Sequence, residues 1–308
     1  MLRFLRSLVG PSLPQNVLFS GPMDSGVGMS RMIRFGCIAP HGAELIPSLA
    51  NRQSLASFQK TRDGMRILAL EVAKARPDTV IIASPHSLRL FRRIGIITAE
   101  NSSGTLATLP NRSVKLKAKC DVVFAKRLLR VAEMRGLPVV GANYGTSEGK
   151  GSDMPMDWGT LIPLWFILKE TGLKAKVVIV TPSREIALGQ NVLFGQTVAR
   201  LAKRTPGTQV FVASADQAHT HSKTGPYGFS RDASKYDGTV VRAIRENRLR
   251  DVIRLGPRMV ERAKPDSLWQ IAMLVGAMGT VGMRSELLSY EVPTYYGMIC
   301  ATFARMQN

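Results

Sequence analysis

The strongest constraint in this chain is its alternation of short, unbroken apolar runs with longer amphipathic stretches. Thr79–Ala83 (TVIIA), Lys176–Thr181 (KVVIVT) and Gln209–Ser214 (QVFVAS) are too short for stable helices and mostly apolar at successive positions. A strand reads that way when both of its faces are covered. Helical periodicity is expected over Gln53–Arg76, Val122–Arg135, Glu185–Lys203, Ala233–Asn247, Leu249–Arg262 and Ser267–Met278. Leu161–Glu170 reads as another helix, with Pro163 near its first turn. Further strands are expected at Arg34–Ala39, Ile94–Ile97 and Val139–Asn143. Val114–Lys119 alternates as an edge strand does, and Glu286–Tyr290 and Gly297–Phe303 close the chain. The pattern predicts an α/β fold: a single-domain three-layer sandwich around a central sheet, mostly parallel or mixed.

Composition narrows the class. With 45% apolar and 21% charged residues among 308, the chain is not largely disordered. No apolar stretch approaches the roughly 18 residues of a membrane helix, so no membrane partner is expected. Three widely spaced cysteines argue against a disulfide framework and for a reducing, cytoplasmic setting. Lys plus Arg outnumber Asp plus Glu by 42 to 22, a net charge of +20. The basic residues are scattered and no nucleic-acid signature accompanies them, so they read as solvated faces and nucleic acid is an unlikely partner. Residues 1–31 are expected to be a disordered extension or untranslated upstream sequence. The folded domain is expected over 32–308.

Only four histidines occur: His41, His86, His219 and His221. Each follows a predicted buried strand, where an open α/β sheet gathers its ligand site. Imidazole is the commonest metal ligand and the commonest acid/base near neutral pH. Two histidines and a carboxylate make the facial triad of non-haem Fe(II) sites.

Six segments in order carry a resemblance. They are Ile38-Ala39-Pro40-His41-Gly42, Ala83-Ser84-Pro85-His86, Met156-Asp157-Trp158-Gly159-Thr160-Leu161-Ile162-Pro163-Leu164, Ser214-Ala215-Asp216-Gln217-Ala218-His219, Gly225-Pro226-Tyr227-Gly228-Phe229 and Tyr290-Glu291-Val292-Pro293-Thr294-Tyr295-Tyr296-Gly297-Met298. Together they resemble the class III extradiol ring-cleavage dioxygenases, the LigB-like superfamily that also holds the Memo-like proteins. The resemblance implies an Fe(II)-dependent dioxygenase opening a catechol-type ring with O2, with Zn or Mn as alternative metals. It implies His41 and His86 as metal ligands and His219 as the catalytic acid/base. The third ligand falls on Asp266, which reads equally well as a helix N-cap, with Glu44 and Glu291 as fallback carboxylates. Asp157, Trp158, His221 and Tyr227 are expected near the substrate pocket. Arg89 or Arg231 is a candidate partner for a substrate carboxylate.

One departure stands out. Ring-cleaving relatives commonly carry a pocket histidine where this chain has Trp158. The indole offers one donor and no acceptor, so it cannot exchange protons near neutral pH. The alternative is therefore a Memo-like metal-binding protein of the same fold without ring cleavage. A Zn hydrolase is a further alternative. Expected partners are a small aromatic substrate and O2, with a homodimer or a small second subunit as the assembly.

Overall fold

The computed structural model describes residue 33 and residues 35–109, 111–279 and 283–305. The expected extension over residues 1–31 lies outside them. β1 (Phe35–Ala39) is followed by a 3-10 turn at Ala43–Leu45, then α1 (Arg52–Ser57) and α2 (Gln59–Lys74). Next come β2 (Thr79–Ala83), β3 (Ile94–Ile97), β4 (Asn101–Leu109), β5 (Arg112–Lys119), α3 (Val122–Met134), β6 (Val139–Ala142) and β7 (Asp153–Pro155). α4 (Trp158–Leu164) runs on as π-helix through Trp165–Glu170. β8 (Lys176–Thr181), α5 (Leu188–Ala202), β9 (Gln209–Ser214) and α6 (Arg231–Arg245) follow. A 3-10 segment at Leu249–Arg254 leads into α7 (Pro257–Ala263) and α8 (Leu268–Met278). β10 (Met283–Glu291) and β11 (Met298–Arg305) complete the described chain.

Eight strands form one mixed sheet in the order β10-β11-β1-β9-β2-β8-β3-β6. The four central strands β1, β9, β2 and β8 are mutually parallel. β11 and β3 flank them antiparallel. Because side chains alternate across a strand, each apolar run fills two cores at once. Ile38, Ile81, Val178 and Phe211 pack on one side with α3, α5, α6 and α8. Cys37, Ile82, Ile179 and Val212 pack on the other with α2, α4 and the π-helical stretch. Full burial of each such aliphatic side chain contributes roughly 1.5–3 kcal/mol. The three layers of the predicted sandwich are thus a sheet and its two helical faces.

On the first face α5 and α8 approach backbone to backbone. A Cβ on Gly195 would lie 2.0 Å from the Met273 carbonyl oxygen, and one on Gly276 would lie 2.0 Å from that of Val192. Only glycine fits at either crossing point.

Four local expectations are corrected. The helix expected over Gln53–Arg76 divides at Phe58, whose ring is buried and whose backbone (φ −104°, ψ 11°) leaves helical geometry. The helix expected over Leu249–Arg262 divides before Pro257, since proline disfavours the helical conformation in the residue ahead of it. α4 begins at Trp158, capped by Asp157, rather than at Leu161, so Pro163 lies inside it and removes a donor from the helical ladder. β4 and β7 were not expected. They join β5 in a separate three-stranded sheet, ordered β5-β4-β7, so Val114–Lys119 does lie at an edge, but not of the main sheet. No described helix is long and apolar enough to cross a membrane.

Candidate metal centre

The parallel strands β1, β9 and β2 end side by side, and the loops leaving them meet. Pro40-His41-Gly42 leaves β1, Ala215–His221 leaves β9, and Ser84-Pro85-His86 leaves β2. Asp266 comes from the turn between α7 and α8. That turn begins at Lys264, which adopts the left-handed conformation (φ 50°, ψ 51°), and is stiffened by Pro265.

His41 Nε2, His86 Nε2 and Asp266 Oδ2 form a triangle with edges of 3.1, 3.2 and 3.3 Å. His41 is 2% exposed and Asp266 is also buried. His41 Nδ1 lies 3.0 Å from Ser214 Oγ, whose own proton goes to the Gly159 carbonyl. The serine oxygen must therefore accept, which puts the His41 proton on Nδ1 and turns the Nε2 lone pair inward. Asp266 Oδ1 accepts from the Asp216 amide at 3.0 Å, whereas its Oδ2 is buried with no well-formed hydrogen bond. Lone pairs converging on a buried point call for a cation.

The donor set fits a metal ion. With ligand distances of about 2.1 Å, neighbouring ligand atoms lie ~3.0 Å apart in an octahedron and ~3.4 Å apart in a tetrahedron. The observed edges fall between the two, so the triangle suits either geometry. Imidazole nitrogens and a carboxylate oxygen suit Fe, Zn or Mn alike.

The electrostatics agree. Burial works against a His41 imidazolium, but Asp216 and Asp266 outweigh it and push its pKa up to about 9. Burial also works against the Asp266 carboxylate, yet the imidazoles of His41, His86 and His219 hold its carboxyl well below the usual range. Asp216 moves the other way: burial pushes it up, and His41 offsets only part of that. In metal-free protein a proton on His41 supplies the positive charge this pocket needs.

Residues 36–301 match the family described as the catalytic LigB subunit of aromatic ring-opening dioxygenase. The chain belongs to the LigB family. Protein CA_C1420 of Clostridium acetobutylicum is 23% identical to this LigB chain over 256 residues. That match covers 82% of this chain and 54% of the relative, so the chain spans about half the length of the curated relative it matches. The crystal structure of uncharacterized protein JW3007 from Escherichia coli K12 shares the fold, with a TM-score of 0.56 at 14% identity. It is covered over 99% of its length and covers 87% of this LigB chain.

The remaining predicted site residues divide into two groups. His219 stands beside the triangle in a nest of tyrosines. Its ring stacks on Tyr296 at 5.4 Å and meets Tyr227 edge-on at 5.8 Å. Its Nδ1 donates to the Gln217 carbonyl at 2.8 Å, which leaves Nε2 as a free lone pair in the neutral ring. Trp158 stacks on His86, with centroids 4.4 Å apart, and remains 46% exposed. It forms a wall beside a candidate ligand.

Asp157, His221 and Glu291 are committed elsewhere. Asp157 caps α4: Oδ1 accepts from the Thr160 amide and the Ser84 hydroxyl, and Oδ2 from the Thr160 hydroxyl. Through Ser84 it steadies the His86 loop. His221 turns away from the triangle to Asp237, 2.8 Å distant and fully buried. Asp237 also accepts from Tyr290 Oη and the Ala218 amide, so it anchors the His219 loop to α6. Glu291 accepts from Thr61. The N-cap of α8 is Ser267, so Asp266 does not take the capping position.

Asp216 escaped sequence analysis. Its Oδ1 accepts from the His41 amide at 3.0 Å and its Oδ2 lies 3.3 Å from His41 Nε2. The available signal was its position two residues past the end of β9, inside the segment that carries His219.

Proposed function

We propose that this LigB-family chain is a metal-dependent dioxygenase that opens an aromatic diol ring beside its hydroxyls and adds both atoms of O2 to the product. The observation that carries this reading is the triangle of His41, His86 and Asp266, with His219 of defined tautomer next to it. The three residues would hold one divalent cation, Fe(II) in this reading, with Zn or Mn as alternatives. When bound, Fe(II) supplies a Lewis acid for the diol oxygens and the redox chemistry that couples them to O2.

The surrounding residues perform the rest. His219 Nε2 is the base that takes one diol proton and the acid that returns it. Trp158 and Tyr227 offer flat apolar faces against which an aromatic ring can lie. Ser214 and Asp216 hold His41 with its Nε2 inward. The family match and the donor chemistry support this reading.

Trp158 favours a second reading, a metal-binding protein of the same fold that does not cleave rings. Its indole cannot accept a proton where a histidine could.

One experiment separates them. The protein is reconstituted anaerobically with Fe(II), desalted and assayed for iron, beside His41→Ala and His86→Ala, and O2 consumption is then followed with a panel of catechols. About one iron per chain, lost in both variants, together with O2 uptake supports the dioxygenase. The same iron binding without O2 uptake supports the second reading. Iron indifferent to both substitutions overturns the ligand assignment.

A further inference from the structure

Basic residues that are scattered along the sequence are gathered by the fold. Five of the chain's fourteen lysines, and no arginine, line one cavity of about 780 Å³. Lys117 and Lys119 come from β5, Lys169 from the π-helical stretch, and Lys174 and Lys176 from the turn into β8. The cavity lies where β2 and β8 begin, since Thr79 and Lys176, their first residues, are register partners. The metal-binding triangle lies past the other end of the sheet, so one strand length, roughly 15–20 Å, separates the two.

The frame of this cavity is tied together by backbone hydrogen bonds between separate turns. The Lys176 amide donates to the Asp78 carbonyl at 3.0 Å, the Asp78 amide to the Thr208 carbonyl at 2.9 Å and the Asp121 amide to the Val177 carbonyl at 2.8 Å. Leu116, Leu168 and Leu173 give the cavity an apolar floor. Asp78 and Asp121 also line it and oppose an anion, but both are already engaged. Asp78 Oδ2 accepts from the Thr208 amide at 2.7 Å, and Asp121 accepts from the Phe124 amide at 3.1 Å and the Thr79 hydroxyl at 2.7 Å. Lys117 pairs with Asp153 at 3.1 Å. Among the described residues the other four lysines form no ion pair.

Like charges around a concavity repel one another and focus a positive potential into it, so an anion that enters is attracted by all of them at once. Ammonium groups are compact point charges without the planar fork that matches a single carboxylate, which suits the several phosphates of one ligand. The volume is that of a small-molecule site. No aromatic side chain lines it, so it lacks the platforms on which single-stranded nucleic acid stacks its bases. We propose that this cavity binds an organic di- or triphosphate, with the phosphates on Lys119, Lys169, Lys174 and Lys176 and the organic portion on the leucine floor.

The test is calorimetric titration of the full chain, without added divalent cation, with ATP, tripolyphosphate and a 12-mer of oligodeoxythymidylate. The variants are Lys174→Gln/Lys176→Gln and, as a matched loss of two positive charges elsewhere, Arg245→Gln/Arg258→Gln. Wild type is expected to bind one ATP per chain, more tightly than either of the other probes. Lys174→Gln/Lys176→Gln should weaken ATP roughly tenfold to a hundredfold, about one tenfold step for each lost charge-assisted contact, with an unchanged Tm in the absence of ligand. Arg245→Gln/Arg258→Gln should bind ATP as wild type does. Absence of saturable ATP binding, or equal weakening in both double variants, would overturn the proposal. Tripolyphosphate bound as tightly as ATP would overturn the assignment to an organic ligand. Oligodeoxythymidylate bound more tightly than ATP would overturn the small-molecule site in favour of a nucleic-acid track.

Discussion

The Ser214 hydroxyl accepts the Nδ1 proton of His41 and gives its own proton to the Gly159 carbonyl. This relay orients the most buried imidazole of the triangle and selects its tautomer. Ser214→Ala should therefore weaken metal binding by about 10–100-fold, the usual effect of losing a group that orients a ligand, without removing any ligand. Competition titration with a chelator measures this. An affinity equal to that of wild type would mean that packing alone orients His41.

Removing the metal should leave a pH signature. The folded-state pKa of His41, about 9, lies above its ordinary value of 6.5. Its contribution to stability is therefore complete below about pH 6.5 and is lost as pH rises through 9. By linkage it is worth up to about 3 kcal/mol. The urea midpoint of chelator-treated protein should fall between pH 6.5 and 9.5. Metal-loaded protein should resist that fall, because the ion replaces the proton. A level profile in the metal-free protein would remove the pairing of His41 with Asp216 and Asp266 as a source of stability.

The two histidines after β9 should separate cleanly by mutation. His221, itself half-buried, pairs with the fully buried Asp237, so Asp237→Asn should cost about 3 kcal/mol and lower Tm while the metal count is kept. His219→Ala should retain the metal and lower turnover by roughly 10²–10⁴-fold. If His221→Ala instead lost the metal and left Tm untouched, the division of roles drawn above would be reversed.

The α5–α8 crossing gives a prediction whose sign runs against helix propensity. On propensity alone Gly195→Ala should gain almost 1 kcal/mol. The Met273 carbonyl 2.0 Å from the new methyl carbon would instead force the helices apart, at a cost of about 3 kcal/mol. Gly276→Ala should behave alike. The double variant should lose less than the sum, since one separation relieves both clashes. Denaturant unfolding of the three variants is the measurement, and a stabilised Gly195→Ala would refute the packing argument.

The layer architecture was legible because strands covered on both faces must be apolar at consecutive positions, as TVIIA and QVFVAS are. The loops that carry His41, His86 and His219 were legible for a related reason: polar residues placed just past buried strands stand out against them. β4 and β7 were not legible. Their residues, such as Asn101-Ser102-Ser103, carry no apolar pattern, and pairing of β4 with β5 and of β7 with β4, rather than composition, makes them strands.

Inside the site the division is sharper. The sequence supplied the imidazoles as candidates, because those side chains have few other uses after a buried strand, and the family resemblance added Asp266, with Glu44 and Glu291 as fallback carboxylates. Residue pattern alone could not separate His219 from His221, which are two residues apart; only the family resemblance singled out His219. Backbone direction decided that, turning one ring toward the tyrosines and the other toward Asp237. Nor could it separate Asp157, which caps a helix, from Asp216, which grips His41, since a carboxylate's role depends on which donors reach it. Asp266 became part of the triangle only when the α7–α8 turn brought it against residues 180 to 225 positions earlier in the chain. Distances across such separations are set by the packing of whole layers, and no local pattern of residues encodes them.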